Sequence, residues 1–366
     1  MAIGDIMSDN IITEDMEDIF QRDIPLRKLY GKTVMISGAT GMLASYVVYF
    51  LIWLNEVQDA NINIIALARK QQKCQERFGK YLERDYFKLR MDNILEPLSI
   101  DVDIDYIIHA ASLASPQYYG TNPVDVAAPN VIGTYNLLEL ARLKKVKRFL
   151  YFSSGDVYGR MPEGIGEFSE QEMGTTDPLE SHSCYSESKR MGETLCASYF
   201  RQYRVPTTIA RIGHTYGPTM DISNDPRVFS SFMKNVCEGK DIVLRSDGTA
   251  KRPFCYIADG VAAYLLILLR GEPGNAYNVC NTDQFISMNE LAEVMVNLRQ
   301  DVNMRVVHKG MRSDSKCVEN KDNIANCPSS DKLKKLGWEC HFDVKDGFSR
   351  VYDFLKGRNE YKYDYY

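Results

Sequence analysis

The chain lacks the residue patterns that build metal centres and disulfide frameworks. Its nine cysteines, at positions 74, 184, 196, 237, 255, 280, 317, 327 and 340, form no C-x-x-C pair and no zinc spacing. They sit mostly in apolar stretches, the setting of reduced, buried thiols in a cytosolic protein. Five scattered histidines include neither H-x-x-x-H nor H-E-x-x-H, so no metal is expected. A net charge of −5 offers no polybasic surface, which argues against a nucleic-acid partner. An anionic substrate therefore needs locally concentrated arginine, lysine or backbone N–H groups. The apolar runs 46–54 and 262–269 are far shorter than the roughly 20 residues of a membrane span and read as buried helix faces. Residues 1–24 are acidic and interrupted by charge, so no secretory signal and a cytoplasmic location are expected. Internal repeats and low-complexity tracts are absent.

What remains is ordinary soluble composition, 45% hydrophobic and 25% charged over 366 residues, enough for one large α/β domain or two unequal ones. Residues 1–30 read as an acidic amphipathic helical extension, with Ile11, Ile12, Met16, Ile19 and Phe20 at helical spacing. From Lys32 strands are expected at 33–37, 62–68, 106–109, 148–153 and 207–212. Helices are expected at 43–54, 130–144 and 186–203. Strand–helix alternation with short connections predicts a Rossmann-type doubly wound parallel sheet over 31–218. The rhythm breaks after Gly217-Pro218. Residues 219–366 read as a smaller α/β substrate lobe, with 259–270 returning to the main domain.

The first chemical motif is Gly38-Ala39-Thr40-Gly41-Met42-Leu43-Ala44, between an apolar strand and an apolar helix. Gly38 permits the tight turn, and Gly41 lets a pyrophosphate approach the helix N-terminus. The second strand ends in Ala66-Leu67-Ala68-Arg69-Lys70, without the carboxylate that usually grips the adenosine ribose. Arg69 either stacks on adenine, binds a 2′-phosphate, or belongs to a solvated basic loop, so NADP stands beside NAD. Asp92 is placed to hydrogen-bond the adenine amino group.

The second motif is Tyr185-Ser186-Glu187-Ser188-Lys189. Four residues apart on a helix, Tyr185 and Lys189 share a face, and the ammonium is expected to favour the phenolate. Such a base, beside a dinucleotide, takes a hydroxyl proton while hydride leaves the same carbon. Between the motifs, Ser153-Ser154-Gly155-Asp156 ends a strand at the sheet edge where ligands bind in such folds.

These motifs resemble those of the extended short-chain dehydrogenase/reductases, specifically the nucleotide-sugar epimerases, dehydratases and decarboxylases. The likeness is greatest to the UDP-glucuronate decarboxylases. It runs from residue 32 to about 356. It includes His109-Ala110-Ala111-Ser112 with Ser115-Pro116, Asn130-Val131-Ile132-Gly133-Thr134, Tyr216-Gly217-Pro218, Lys251-Arg252-Pro253 and Leu336-Gly337-Trp338. It implies a bound nicotinamide cofactor, a nucleotide-diphosphate sugar as substrate, and a homodimer formed through helices 130–144 and 186–203. It implies cofactor contacts from Gly38, Thr40, Gly41, Met42, Leu43, Asn93, Ala110, Ala111 and Ser153, alongside Arg69 and Asp92. Tyr185 becomes the base, Lys189 its activator and nicotinamide-ribose ligand, and Ser154 the residue orienting the sugar C4 hydroxyl.

Asp156 falls where the decarboxylases have glutamate, and Arg252 matches a diphosphate-binding arginine, a role suited to a bidentate guanidinium. Ser112 and Arg227 are substrate candidates. Arg227 reads equally as a helix-start surface arginine. The chain departs from the pattern at Gly155, at His214 (usually asparagine) and at Thr219 (arginine in the decarboxylases). His214 is expected to touch the substrate. Decarboxylation leads the expected reactions, followed by 4-epimerisation and then 4,6-dehydration, with a non-catalytic sensor as the alternative of another class.

Overall fold

Burial alternates along each central strand, and both faces are covered. In β1 (Thr33–Ser37), Val34 and Ile36 enter one apolar core while Met35 enters the other. In β5 (Arg148–Ser154), Leu150 and Phe152 point one way and Phe149 and Tyr151 the other. Such strands are stable only between two helical layers. The computed structural model describes residues 9–162, 164–309 and 327–357. Cys317 lies outside them, as does the N-terminal part of the expected extension.

Seven parallel strands form the sheet: β1, β2 (Asn63–Leu67), β3 (Phe87–Arg90), β4 (Tyr106–His109), β5, β6 (Thr207–Ile212) and β7 (Asn275–Val279). Their spatial order is β3-β2-β1-β4-β5-β6-β7, every neighbouring pair parallel. The order reverses between β1 and β4, which opens a crevice at the strands' C-terminal ends. This is the Rossmann-type doubly wound sheet the alternation predicts.

One helical layer holds α1 (Asn10–Gln21), α2 (Met42–Gln58) and, much later in the chain, the apolar helix Ile257–Arg270. Further on come α3 (Gln71–Phe78), α4 (Pro123–Ala128), α5 (Thr134–Lys144) and α6 (Ser183–Tyr203). Leu137, Leu138, Cys196 and Tyr199 of α5 and α6 cover the opposite face. The smaller lobe carries a three-stranded sheet of 214–216, 251–256 and 285–287, with α7 (Val228–Glu238) beside it. We number the 257–270 helix α8 and the lobe helices Met288–Val296 and Val344–Gly357 α9 and α10.

Two boundaries differ from the sequence expectation. The strand 275–279, read as part of the lobe, is the edge strand of the main sheet, so more than residues 259–270 returns there. Helix α1 is packed against the domain, as the amphipathic pattern of residues 11–20 predicts. Ile12, Met16 and Ile19 are fully buried, and Asp15 accepts hydrogen bonds from Tyr46 of α2 and from Tyr256 at 2.7 Å, while pairing with Arg350 of α10 at 2.8 Å. Arg22, just beyond α1, pairs with the buried Asp259 of α8 at 2.7 Å. The expected helix 130–144 also begins earlier, as α4, and passes through a π-turn at Pro129–Gly133 before α5.

Candidate active site

Three segments meet at the C-terminal edge of the sheet. The first is the turn from β1 into α2. Gly38 has a φ of +67°, and a Cβ on it would stand 2.6 Å from the Ala111 Cα. Only glycine lets this turn pass the backbone leaving β4. Helix α2 then starts at Gly41 with no side-chain cap. Gly41, Met42, Leu43, Ala110 and Ser112 line one end of a cleft of about 1960 Å³. That volume is roughly twice the upper range of a drug-sized pocket and has room for two ligands end to end.

The second segment is the end of β5 with the turn after it. Ser154 Oγ accepts the Asp156 backbone N–H at 3.2 Å, which ties the serine hydroxyl to the turn that carries Asp156, and both residues line the cleft. The third is α6, whose residues Tyr185 and Lys189 are both buried and both line the cleft. Lys189 Nζ donates to the Phe152 carbonyl at 2.7 Å and lies 5.8 Å from the Tyr185 ring centre and 5.0 Å from that of Tyr151. This contact depends on Gly192, one turn further along α6, where a Cβ would come within 2.3 Å of the Tyr151 hydroxyl. The missing side chain brings the helix down onto β5.

The electrostatics differ from the sequence expectation. Burial, then the neighbouring Asp156 charge, pushes the Tyr185 phenol above its ordinary value, opposed by a hydrogen bond with Ser154 and by Arg227. Burial pulls Lys189 down to about 7, with Glu193 and Asp156 resisting. In the free chain Tyr185 is therefore a phenol, because desolvation and the Asp156 charge outweigh the Ser154 hydrogen bond and the pull of Arg227. Asp156 is pushed up by burial against the pull of His182, Arg252 and Lys189. Its side chain opens onto the cleft while protein surrounds it on most other sides.

In the substrate half, His214, Arg227 and Arg252 all line the cleft. Burial, with Arg252 and Arg227 nearby, drives His214 down to about 3, so it meets a ligand as a neutral imidazole. Its ring stands edge-on to Phe254 at 5.9 Å. Arg227 is held by Asp225 through its Nε at 2.8 and 3.0 Å and its Nη2 at 2.5 Å, which neutralises much of its charge. Arg252 opens to the cleft with Asp156 as its charged neighbour.

Other expected residues are placed differently. Ser153 spends its hydroxyl on Glu193 at 2.6 Å. Asp92 is tied to Arg90 at 2.5 Å, and Asn93 accepts the Leu95 N–H at 3.2 Å. Both carboxylate and amide thus have local partners that the sequence order does not reveal. Arg69, Asp92, Asn93, Thr40 and Ala111 do not line the central cleft, and Arg69 is exposed just past β2. Two residues that the sequence reading missed stand at the centre. Tyr119 stacks on Tyr185 with centroids 5.2 Å apart and planes 14° from parallel, and His182 meets Tyr119 edge-on at 5.4 Å. No local pattern marks Tyr119. Glu193, part of the family resemblance but given no role there, carries a signal in its spacing of four beyond Lys189.

The site suits a dinucleotide on its own evidence. The uncapped start of α2 and the glycine cradle at 38 match a pyrophosphate. Ser112 Oγ and Ser115 Oγ are buried without a partner among the described residues, in the wall of the same cleft. The chain belongs to the NAD dependent epimerase/dehydratase family, whose description matches residues 34–280. It is 33% identical over 316 residues to UDP-glucuronic acid decarboxylase 6 of Arabidopsis thaliana, covering 86% of each chain. It is 29% identical over 354 residues to UDP-glucuronic acid decarboxylase 1 of Xenopus tropicalis, covering 95% of this chain and 79% of that one. In fold it is similar to a UDP-glucose 4-epimerase of Thermotoga maritima solved with UDP-glucose. That match has a TM-score of 0.71 at 21% identity, over 89% of this chain and 99% of the other. A UDP-glucuronic acid 4-epimerase of Bacillus cereus solved with NAD matches at 0.70 and 20%, over 88% and 96%. Among the described residues no helix is long and apolar enough to cross a membrane.

Proposed function

We propose that the protein decarboxylates a UDP-glucuronate-like nucleotide sugar by transient oxidation at C4. The observation that carries this reading is the 33% identity to a UDP-glucuronic acid decarboxylase over 86% of both chains. Ser154, Asp156, Tyr185 and Lys189 converging in one cleft support it. When bound, NAD supplies reversible hydride exchange with the sugar C4. Gly38 and Gly41 to Leu43 hold its pyrophosphate end, and Lys189 its nicotinamide ribose.

Ser154 orients the C4 hydroxyl, and Tyr185 takes its proton. The resulting 4-keto sugar carries a carboxylate on C5 and is a β-keto acid. Its C5–C6 bond breaks to release carbon dioxide, leaving an enolate that takes a proton at C5. Tyr185 then returns its proton to the C4 oxygen as the ketone is reduced. Overall one proton is consumed and one carbon dioxide released, and catalysis rests on positioning and electrostatics. Arg252 and the neutral His214 are the proposed diphosphate contacts. Gly155 weighs against 4,6-dehydration, which needs a paired acid and base. The cleft wall there has no side chain, and a Cβ would meet only the Ile212 carbonyl, at 3.8 Å.

NAD is the proposed cofactor, with Arg69 the basis for assaying NADP beside it. A homodimer through α5 and α6 is supported by exposed Ile132, Tyr135, Leu143, Met191 and Tyr203. The free thiols of the described cysteines support a cytoplasmic setting.

Incubation with UDP-glucuronate, followed by mass spectrometry, tests the reaction. The expected product is lighter by about 44 Da, the mass of carbon dioxide. An isomer of unchanged mass makes the protein a 4-epimerase instead, and no product removes this sugar as the substrate.

A further inference from the structure

Behind Lys189 lies a polar network centred on Glu193 and Arg211, which do not themselves line the cleft. Glu193 follows Lys189 by one turn of α6 and so lies on the same helix face as Tyr185 and Lys189. Its carboxylate is nearly buried and is held from two sides. Ser153 Oγ donates to Glu193 Oε1 at 2.6 Å. Arg211 of β6 binds both oxygens, through Nε at 3.0 and 3.2 Å and Nη2 at 2.7 Å. The guanidinium is anchored in turn, donating to the Tyr158 hydroxyl at 3.1 Å and the Glu170 carbonyl at 2.9 Å. Tyr158 donates onward to Asn278 Oδ1 at 2.5 Å.

The connection to Lys189 runs through two adjacent residues at the end of β5. The Phe152 carbonyl receives the ammonium, and the next residue, Ser153, gives its hydroxyl to Glu193. Ser154, the residue proposed to orient the sugar, comes next. One carboxylate thus fixes the strand end carrying both the lysine's acceptor and the substrate's serine.

We propose that Glu193, anchored by Arg211 and Ser153, is a positioning residue that supplies the counter-charge for the Lys189 ammonium and clamps the β5 end against it. This inference rests on the reading of Tyr185 and Lys189 as the base and its activator. An isolated ammonium in so buried a place sheds its proton. The groups facing it are Tyr185, Glu193 and Cys196 on its own helix, Tyr151 on β5, Asp156 on the following turn and His109 on β4. Of these, only Glu193 is a carboxylate secured by a guanidinium, away from the space that substrate fills. Asp156 stands in the cleft itself. Arg211 holds Glu193 in place through three hydrogen bonds and moderates its charge.

The test reads Lys189 directly, without turnover. Protein labelled with carbon-13 at lysine Cε is titrated by NMR in the free state, the Lys189 signal being assigned by its loss in Lys189→Met. Glu193→Gln is expected to lower the Lys189 midpoint by about one pH unit or more, a loss of roughly tenfold in proton affinity. Glu193→Asp, which keeps the charge, is expected to leave it near the wild-type value. Arg211→Gln, which removes the moderating cation, is expected to raise it. These opposite signs separate electrostatic control from general loosening, which would move both charge-changing variants the same way. A midpoint unmoved in Glu193→Gln, or a fall in Arg211→Gln, overturns the proposal, and if one variant does not fold the sign of the other still decides. A protein that shows these shifts but turns over no UDP-glucuronate keeps the inference and loses the substrate assignment.

Discussion

Burial drives the two partners of the proposed catalytic pair toward neutrality from opposite directions, raising the Tyr185 phenol and bringing Lys189 down to about 7. In the free protein near neutral pH, the proposed base Tyr185 is therefore held protonated while Lys189 is close to losing its charge. Removing the phenol oxygen should abolish the chemistry without disturbing the cofactor turn, which lies on other elements. Tyr185→Phe is expected to lower kcat by about 10²- to 10⁴-fold, the usual contribution of a positioned base. Bound nicotinamide, measured by absorbance after denaturation, should stay at the wild-type level. Near-normal turnover would remove Tyr185 from the role. Tyr185, Lys189 and Ser154 were legible in the sequence because helix spacing and a strand end are local features. Tyr119 was not, since a stacking partner 66 residues earlier leaves no periodic trace. The commitment of Ser153 to Glu193, and of Asp92 to Arg90, was equally hidden, because polar side chains choose partners by three-dimensional proximity.

Among the elements, the approach of α6 to β5 decides whether the site exists, and Gly192 sets that approach. A valine there must push against the fully buried Tyr151 and move the helix outward, lengthening the bond from Lys189 to the Phe152 carbonyl. Gly192→Val is expected to cost about 1–3 kcal/mol in denaturant unfolding, the range for overpacked cores, and to reduce kcat well beyond its effect on KM. Unchanged stability and activity would show that α6 has slack at this point. Strands β1 and β4 were readable because both-face burial produces short apolar runs, Val34-Met35-Ile36 and Tyr106-Ile107-Ile108. The short β3 was missed because Phe87-Lys88-Leu89-Arg90 is half polar at the sheet edge. The π-turn before α5 was missed because its cause is tertiary. Asn130 donates to Ser188 of α6 at 3.0 Å, and Gly133 packs on Ile94.

On the scale of the whole molecule, helix α1 joins distant parts of the chain through one buried carboxylate. Burial raises Asp15 to about 6, against the pull of Arg350 and the hydroxyls of Tyr46 and Tyr256. The native state thus binds this proton more tightly than the unfolded chain does between about pH 4 and 6. Stability from this group falls as pH rises through that window and stays low above it. A shift of about two units corresponds to about 3 kcal/mol. Relative to Asp15→Asn, the wild type is expected to lose up to that amount between pH 4 and pH 7, measured by denaturant unfolding at both. An unchanged difference would mean that Asp15 stays ionised throughout. The amphipathic pattern of 11–20 foretold a packed helix, but not that its acid meets residue 350. The tie also bears on synthesis. Asp15 and Arg350 are 335 residues apart, so at about 5–20 residues per second the first helix emerges from the ribosome tens of seconds before its last partner. Until then a nascent chain carries an apolar helix face and a carboxylate without their final cover, and a chaperone is the natural custodian of that interval.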